Sequence, residues 1–152
     1  MVTNQKSNGS ARQLVVIDAD ARAARAARTL GCRIVYVQQP GSPVHELVDD
    51  DSGYYSVDFT GPKFAGFVGE VLRPLLPTAA VSLTAQGLAA ADVVNSLLGT
   101  AGTPPGILQR LTGTGPESSD GLDLVRLALG WPLGLREADC TVPARTLEGD
   151  GQ

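Results

Sequence analysis

Four short apolar runs, each followed by a stretch of helical period, constrain this chain more than any other feature. The runs are QLVVID (residues 13–18), CRIVYVQQ (32–39), YYSVDF (54–59) and TAAVSL (78–83). Their apolar character is close to continuous, the mark of strands covered on both faces. After the first run, Asp18 or Asp20 is placed to cap ADARAARAARTLG (19–31). Ala21, Ala24, Ala27 and Leu30 or Thr29 then share one helical face, Arg22, Arg25 and Arg28 another, and Gly31 closes the helix. SPVHELVDDDSG (42–53) reads as a short helix and loop. PKFAGFVGEVLRPLL (62–76) is a helix with a buried stripe of Phe64, Phe67, Val68, Val71, Leu72 and Leu75. Its glycines, Gly66 and Gly69, call for close packing against a sheet, and Pro74 and Pro77 are expected to stop it. AAADVVNSLLG (89–99) supplies a fourth helix.

Alternation of strand and helix predicts an α/β fold: an open parallel sheet of about four strands with helices on both faces. The α/β unit spans residues 13–106. Residues 1–12 read as a disordered tail, 107–135 as a helical extension and 136–152 as an arm or tail. Within the extension, a short helix fits 105–111, and GLDLVRLALGWPLG (121–134) is amphipathic, ended by Gly130 and Pro132. Trp131, with Leu127, Leu129 and Leu133, is either local core or a hydrophobic anchor facing a partner, since interface centres favour Trp.

Several function classes are disfavoured. Net charge is −4, with ten Arg and only two Lys, Lys6 and Lys63, so no cationic face for nucleic acid is expected. No apolar run approaches the ~20 residues needed to cross a bilayer. The polar start, MVTNQKSNGSARQ, has no apolar segment of a signal peptide, so a cytoplasmic location is expected. Cys32 and Cys140 read as free thiols, and with one histidine, His45, they have no zinc spacing. No metal site is expected. A serine-hydrolase elbow is absent.

Ligands of open α/β sheets sit beyond the carboxyl ends of the strands. Those ends carry Asp18 with Asp20, Gln38 with Gln39, Asp58, and Ser82 with Thr84. After the first strand, DADARAAR stands where a dinucleotide fold has GxGxxG, and no GxxxxGK[ST] occurs. The glycine-rich stretch 99–106 reads as a connector. Ser82, Thr84 and Gln86 lie at a helix start, where free N–H groups favour an anion such as a substrate carboxylate. With Asp18 they are the candidate substrate-binding set; capping and turn hydrogen bonds are the plainer roles. Asp49, Asp50 and Asp51 read as a solvated loop, and the arginines of residues 22–28 as a solvent face or a partner contact. His45 reads as a surface residue, yet it is the one acid–base candidate with an ordinary pKa near neutrality. The acids at strand ends also invite comparison with a phosphoryl-accepting receiver domain, but no fifth strand ending in Lys–Pro follows.

AAVSLTAQGLAAADVVNSLLGTAGTPP (79–105) resembles the N-terminal, or pre-ATP-grasp, domain of ATP-grasp carboxylate–amine ligases. There a strand ends in a Ser-Leu-Thr-Glu-Gln-Gly-Leu-like turn, followed by a helix with Ala-x-x-x-Asn and a Gly/Pro exit. AARAARTLGCRIVYVQQPG (23–41) and VDFTG (57–61) look like earlier parts of the same domain, so the resemblance covers about residues 13–106. It implies the open α/β sheet and a reaction in which ATP phosphorylates a carboxylate and an amine attacks the acyl phosphate. In that family the ATP and magnesium sites lie mostly in two further domains that use lysines against the phosphates. Here no lysine follows Lys63, LQRLTGTGPESSDGL (108–122) replaces the lysine-bearing linker helix, and Ala85 stands where the turn has Glu. The resemblance therefore implies no cofactor bound by this chain alone, with ATP and magnesium reached only through a larger ATP-grasp-like partner chain. The expected role is a small subunit of a heteromeric biosynthetic enzyme, acting on an amino acid or carrier-bound carboxylate by ligation or by a repurposed ring closure or elimination. A free-standing metabolite-binding or regulatory domain is the alternative.

Overall fold

In the computed structural model, which describes residues 12–48, 52–113 and 123–140, Gln13–Ile17 (β1) is the hub of the sheet. It pairs in parallel with Arg33–Gln38 (β2) on one side and Ala79–Val81 (β4) on the other. Gly53–Ser56 (β3) adds in parallel to β2, giving the order β3-β2-β1-β4. Register follows the pleat: Val15 lies between Val35 and Ala80, and Val16 between Tyr36 and Val81. Val15, Ile17, Val35, Val37 and Ala80 bury on one face, and Leu14, Val16, Ile34, Tyr36 and Val81 on the other. This is the doubly covered sheet that the near-continuous apolar runs demanded.

On the first face lie two helical segments. Phe64–Phe67 (α2) runs through a widened π turn at Val68–Leu72 into Arg73–Leu75 (α3). Phe64, Val68 and Leu72 are buried, as the expected stripe required. Pro74 does not stop this helix. Proline lacks an N–H and crowds the carbonyl four residues back, here Glu70. The widened turn absorbs that, with the Arg73 N–H reaching the Val68 carbonyl, and the chain leaves through Leu76 at φ 53°. Gly66 and Gly69 also differ from expectation: a Cβ at either would meet nothing within 4 Å, so close packing is not their reason.

Ala85–Leu98 (α4) begins before the expected residue 89, because Thr84 caps it and draws the polar turn into its first coil. It presents Ala90, Ala91 and Val94 to the sheet and ends at Gly99, whose φ of 73° suits glycine. One residue of α4 closes the sheet. The Asn95 side chain accepts from the Ala80 N–H at 2.9 Å and donates to the Ala80 carbonyl at 3.0 Å. Those are outer-edge groups of β4, so Asn95 occupies the place of a fifth strand.

The second face is covered first by Ala21–Ala27 (α1), which buries Ala23, Ala24 and Ala27. Its buried face is rotated from the expected one. Asp20 is the cap, accepting from the Ala23 N–H at 2.8 Å, while Asp18 is not. Pro105–Gly113 (α5) crosses near the β4 edge, and Leu124–Gly130 (α6) packs beside α1. Leu129 is fully buried in the second-face core, so α6 belongs to the covering layer instead of standing apart as an extension. The Arg126 guanidinium ties α6 down by donating to the Thr29 hydroxyl (2.9 Å), the Thr29 carbonyl (3.3 Å) and the Asp139 carbonyl (2.8 Å). The tail at 1–11, Asp49, Asp50, Asp51 and the arm beyond 140 lie outside the described residues. Among the described residues no helix is long and apolar enough to cross a membrane.

Candidate ligand site at the β1–β4 junction

With the order β3-β2-β1-β4, successive strands step one way from β1 and then jump back to its other side. The crevice beyond β1 and β4 is thus the switch point where such sheets hold ligands. Asp18 leaves β1 with φ 57°, a left-handed conformation that Asp tolerates better than most residues. Its backbone is held by an N–H bond to the Val37 carbonyl at 2.9 Å. The next residue is clamped by Gln38, which is 1% exposed. Gln38 accepts from the Ala19 N–H at 2.7 Å and donates to the Ala19 carbonyl at 3.1 Å and the Ser42 hydroxyl at 3.1 Å. This buried amide fixes the loop that aims Asp18.

The Asp18 carboxylate accepts from the Thr84 hydroxyl at 2.5 Å, and the Thr84 oxygen in turn accepts from the Gly87 N–H at 3.0 Å. Buried Ser82 accepts from the Thr84 N–H at 3.3 Å. The whole group is squeezed together by Gly87. A Cβ there would fall 1.9 Å from the Ser82 hydroxyl and 2.9 Å from the Ile17 carbonyl, so only glycine fits. Asp18, Ser82 and Thr84 of the expected set are therefore brought together from both sides of the switch point. The electrostatics differ from the expectation of a bound carboxylate. The start of a long helix favours one negative charge, and Asp18 already supplies it. A substrate carboxylate would meet a resident one.

The remaining candidates lie elsewhere. Gln86 is exposed and borders a separate, largely apolar hollow of about 410 Å³ with Phe59, Pro62, Phe64 and Val93. His45 sits in the 3-10 turn Pro43–Leu47, its Nδ1 3.0 Å from the Ser42 carbonyl and its ring edge-on to Tyr54. Leu127 is fully buried in the chain's own core, which removes it as a partner-facing anchor. Leu133 packs half-buried on the second-face core. Trp131 is half-buried with the Arg136 guanidinium 3.7 Å from its ring centroid.

Asp58 closes its own turn. The Thr60 hydroxyl (2.7 Å) and N–H (3.1 Å) donate to it, and these bonds, with one from Gln39, hold its carboxyl below the usual range. The receiver comparison needs Asp18, Asp20 and Asp58 around one magnesium. Asp18 is bonded to Thr84 and Asp20 caps α1, and no three acids, histidines or cysteines converge among the described residues. Burial pushes both the Cys32 and the Cys140 thiols up, which keeps them protonated and poor as nucleophiles.

A cavity of about 590 Å³ opens beside this junction, between β4, α4 and α5. Ser82 reaches its wall from the junction, and Asp92, Asn95 and Ser96 line it from α4. Gly87 and Asp92 were not singled out from sequence, and Gln38 was read only as one of the strand-end residues, not as the clamp on Ala19. The spacing 88, 91, 92, 95 on one helix was the available signal for the cavity wall, since residues three and four apart share a face.

No protein-family model matches this sequence, and no curated protein matches it. Among solved structures, the crystal structure of an L-amino acid ligase from Bacillus licheniformis is similar, with a TM-score of 0.52 and 11% identity. The likeness covers 74% of this chain and 31% of that one. At this identity it is a likeness of fold: an open parallel α/β sheet. This chain spans under a third of the ligase's length.

Proposed function

We propose that this chain is a small, pocket-completing subunit of a heteromeric biosynthetic enzyme derived from an ATP-grasp carboxylate–amine ligase. One observation carries the reading: the fold is similar to a portion, 31%, of an L-amino acid ligase. Local chemistry supports the same division of labour. Phosphate recognition uses cations or open backbone N–H groups. After β1 the chain reads DADARAAR, and the Asp20 carboxylate occupies the start of α1. The start of α4 is held by Thr84 and Asp18. In this reading a larger ATP-grasp-like chain handles ATP and magnesium, and the β1–β4 junction forms one wall of the shared pocket.

The substrate is an amino acid or a carrier-bound carboxylate of specialised metabolism. Its carboxylate takes the terminal phosphoryl group of ATP, releasing ADP. An amine then displaces phosphate from the acyl phosphate and gives up a proton. A repurposed ring closure or elimination would use the same pocket, because fold does not dictate chemistry. The test is co-expression with the product of the adjacent reading frame and capture through a tag on this chain. A complex of fixed stoichiometry is expected. Recovery of this chain alone, as a monodisperse monomer that binds a metabolite, overturns the reading in favour of a free-standing binding or regulatory domain.

A further inference from the structure

The cavity between β4, α4 and α5 has a chemistry of its own. Its volume of about 590 Å³ is of the size that holds small ligands. Much of its wall is apolar, from Leu88, Ala91 and Leu108. Most of its polar groups are already committed. Asn95 is bonded to both backbone groups of Ala80 and accepts from the Thr100 hydroxyl at 2.7 Å. The Thr103 hydroxyl donates to the Ala128 carbonyl. Two groups are left over. Asp92 and Ser96, one turn apart on α4 and both exposed, line the cavity, and their side chains make no hydrogen bond or ion pair among the described residues.

Asp92 is the one charged residue on this wall, and no Lys, Arg or His lines the cavity among the described residues. A second carboxylate stands close by: Asp18 is bonded to Thr84, whose N–H is bonded to the wall residue Ser82. The free side-chain hydrogen-bonding capacity is therefore a carboxylate and a hydroxyl, and no cation on the wall offsets the carboxylate. Such a wall repels carboxylates and phosphates and suits a group that only donates. An ammonium head of three N–H donors meets that demand, with an uncharged aliphatic body against Leu88 and Leu108.

We infer that this cavity is a binding site for a small primary ammonium compound. The inference rests on the ligation reading only for its purpose, where the occupant would be the amine co-substrate; the binding itself needs this chain alone. The test is an amide NMR titration of the isolated chain with n-butylammonium, n-butanol and butanoate at constant ionic strength. Saturable shifts at Leu88, Ser96 and Gly102 are expected for the ammonium ion, and none for butanoate. Asp92→Asn, at an exposed position, is expected to weaken the ammonium about three- to fivefold, the size of one solvent-accessible ion pair. Ser96→Leu is expected to block the cavity and abolish the shifts while leaving the spectrum of the fold intact. No saturable shift at these amides overturns the inference. So does an equal response to butanoate, or an Asp92→Asn chain that binds as before. Failure of co-purification with a larger chain would overturn the subunit reading and leave this result standing.

Discussion

The molecule contains two strand-to-helix turns of similar kind that are solved in different ways. After β1 the chain enters α1 through Asp20, which caps the helix from its own turn. After β4 it enters α4 through Thr84, which caps the helix and also bonds to Asp18, 66 residues away. The first turn is a local solution and contains no glycine. The second is a long-range one and depends on Gly87 to let α4 press against the ends of β1 and β4. Both helix starts carry a carboxylate supplied from within. The lesson is that helix starts at such turns, which favour anions, can be satisfied by carboxylates of the chain itself.

Perturbing the two turns should separate them. The largest effect is expected at Gly87. Gly87→Ala must move α4 away from Ser82 and the Ile17 carbonyl, at a cost of about 3 kcal/mol, read from the denaturant midpoint. A cost below about 1 kcal/mol would mean the helix start is looser than the contacts indicate. Asn95→Leu comes next. It strips the partners from the Ala80 N–H and carbonyl, for a loss of about 2 kcal/mol, with faster amide exchange at Ala80 as an independent readout.

A direct comparison follows from the caps. Thr84→Ala is expected to cost more than Asp20→Ala, about 2 against about 1 kcal/mol, because only Thr84 also serves Asp18. Equal losses in thermal unfolding would remove the distinction between the local and the long-range turn. The smallest effect is expected at Asp58, outside both turns. Its carboxyl is held below its ordinary value, so its contribution is present above about pH 4 and is lost as pH falls through the lower folded value. Asp58→Asn should flatten that part of the acid limb of a Tm–pH curve and leave the neutral plateau nearly unchanged.

The same contrast explains what could be read from the chain and what could not. Buried parallel strands write themselves as apolar runs, so β1, β2 and β4 were legible to within a residue or two. The Asp20 cap was legible as one of two candidates, Asp18 and Asp20, because a cap acts over three residues. Thr84 was legible as a cap, but TAQGL looked like a turn because its helical periodicity starts only after Gly87. The Asp18–Thr84 bond joins distant segments and leaves no local trace. Pro74 carried the ordinary signal of a helix end, and only the sheet beneath, holding Val68 and Leu72, keeps the helix going through a widened turn. An amphipathic pattern at 124–130 announced a buried face without saying against what. The answer, the second face of the sheet beside α1, is a tertiary fact.

The account's central claim is that this chain gives shape to a pocket and leaves the handling of phosphate to another polypeptide. Its most direct test is ATP-dependent phosphate release, assayed with amino acids and amines, for the purified chain alone and in the presence of the larger chain. Release only when both chains are present is the expected result. Sustained release by this chain alone, dependent on an added acid and amine, would contradict the account.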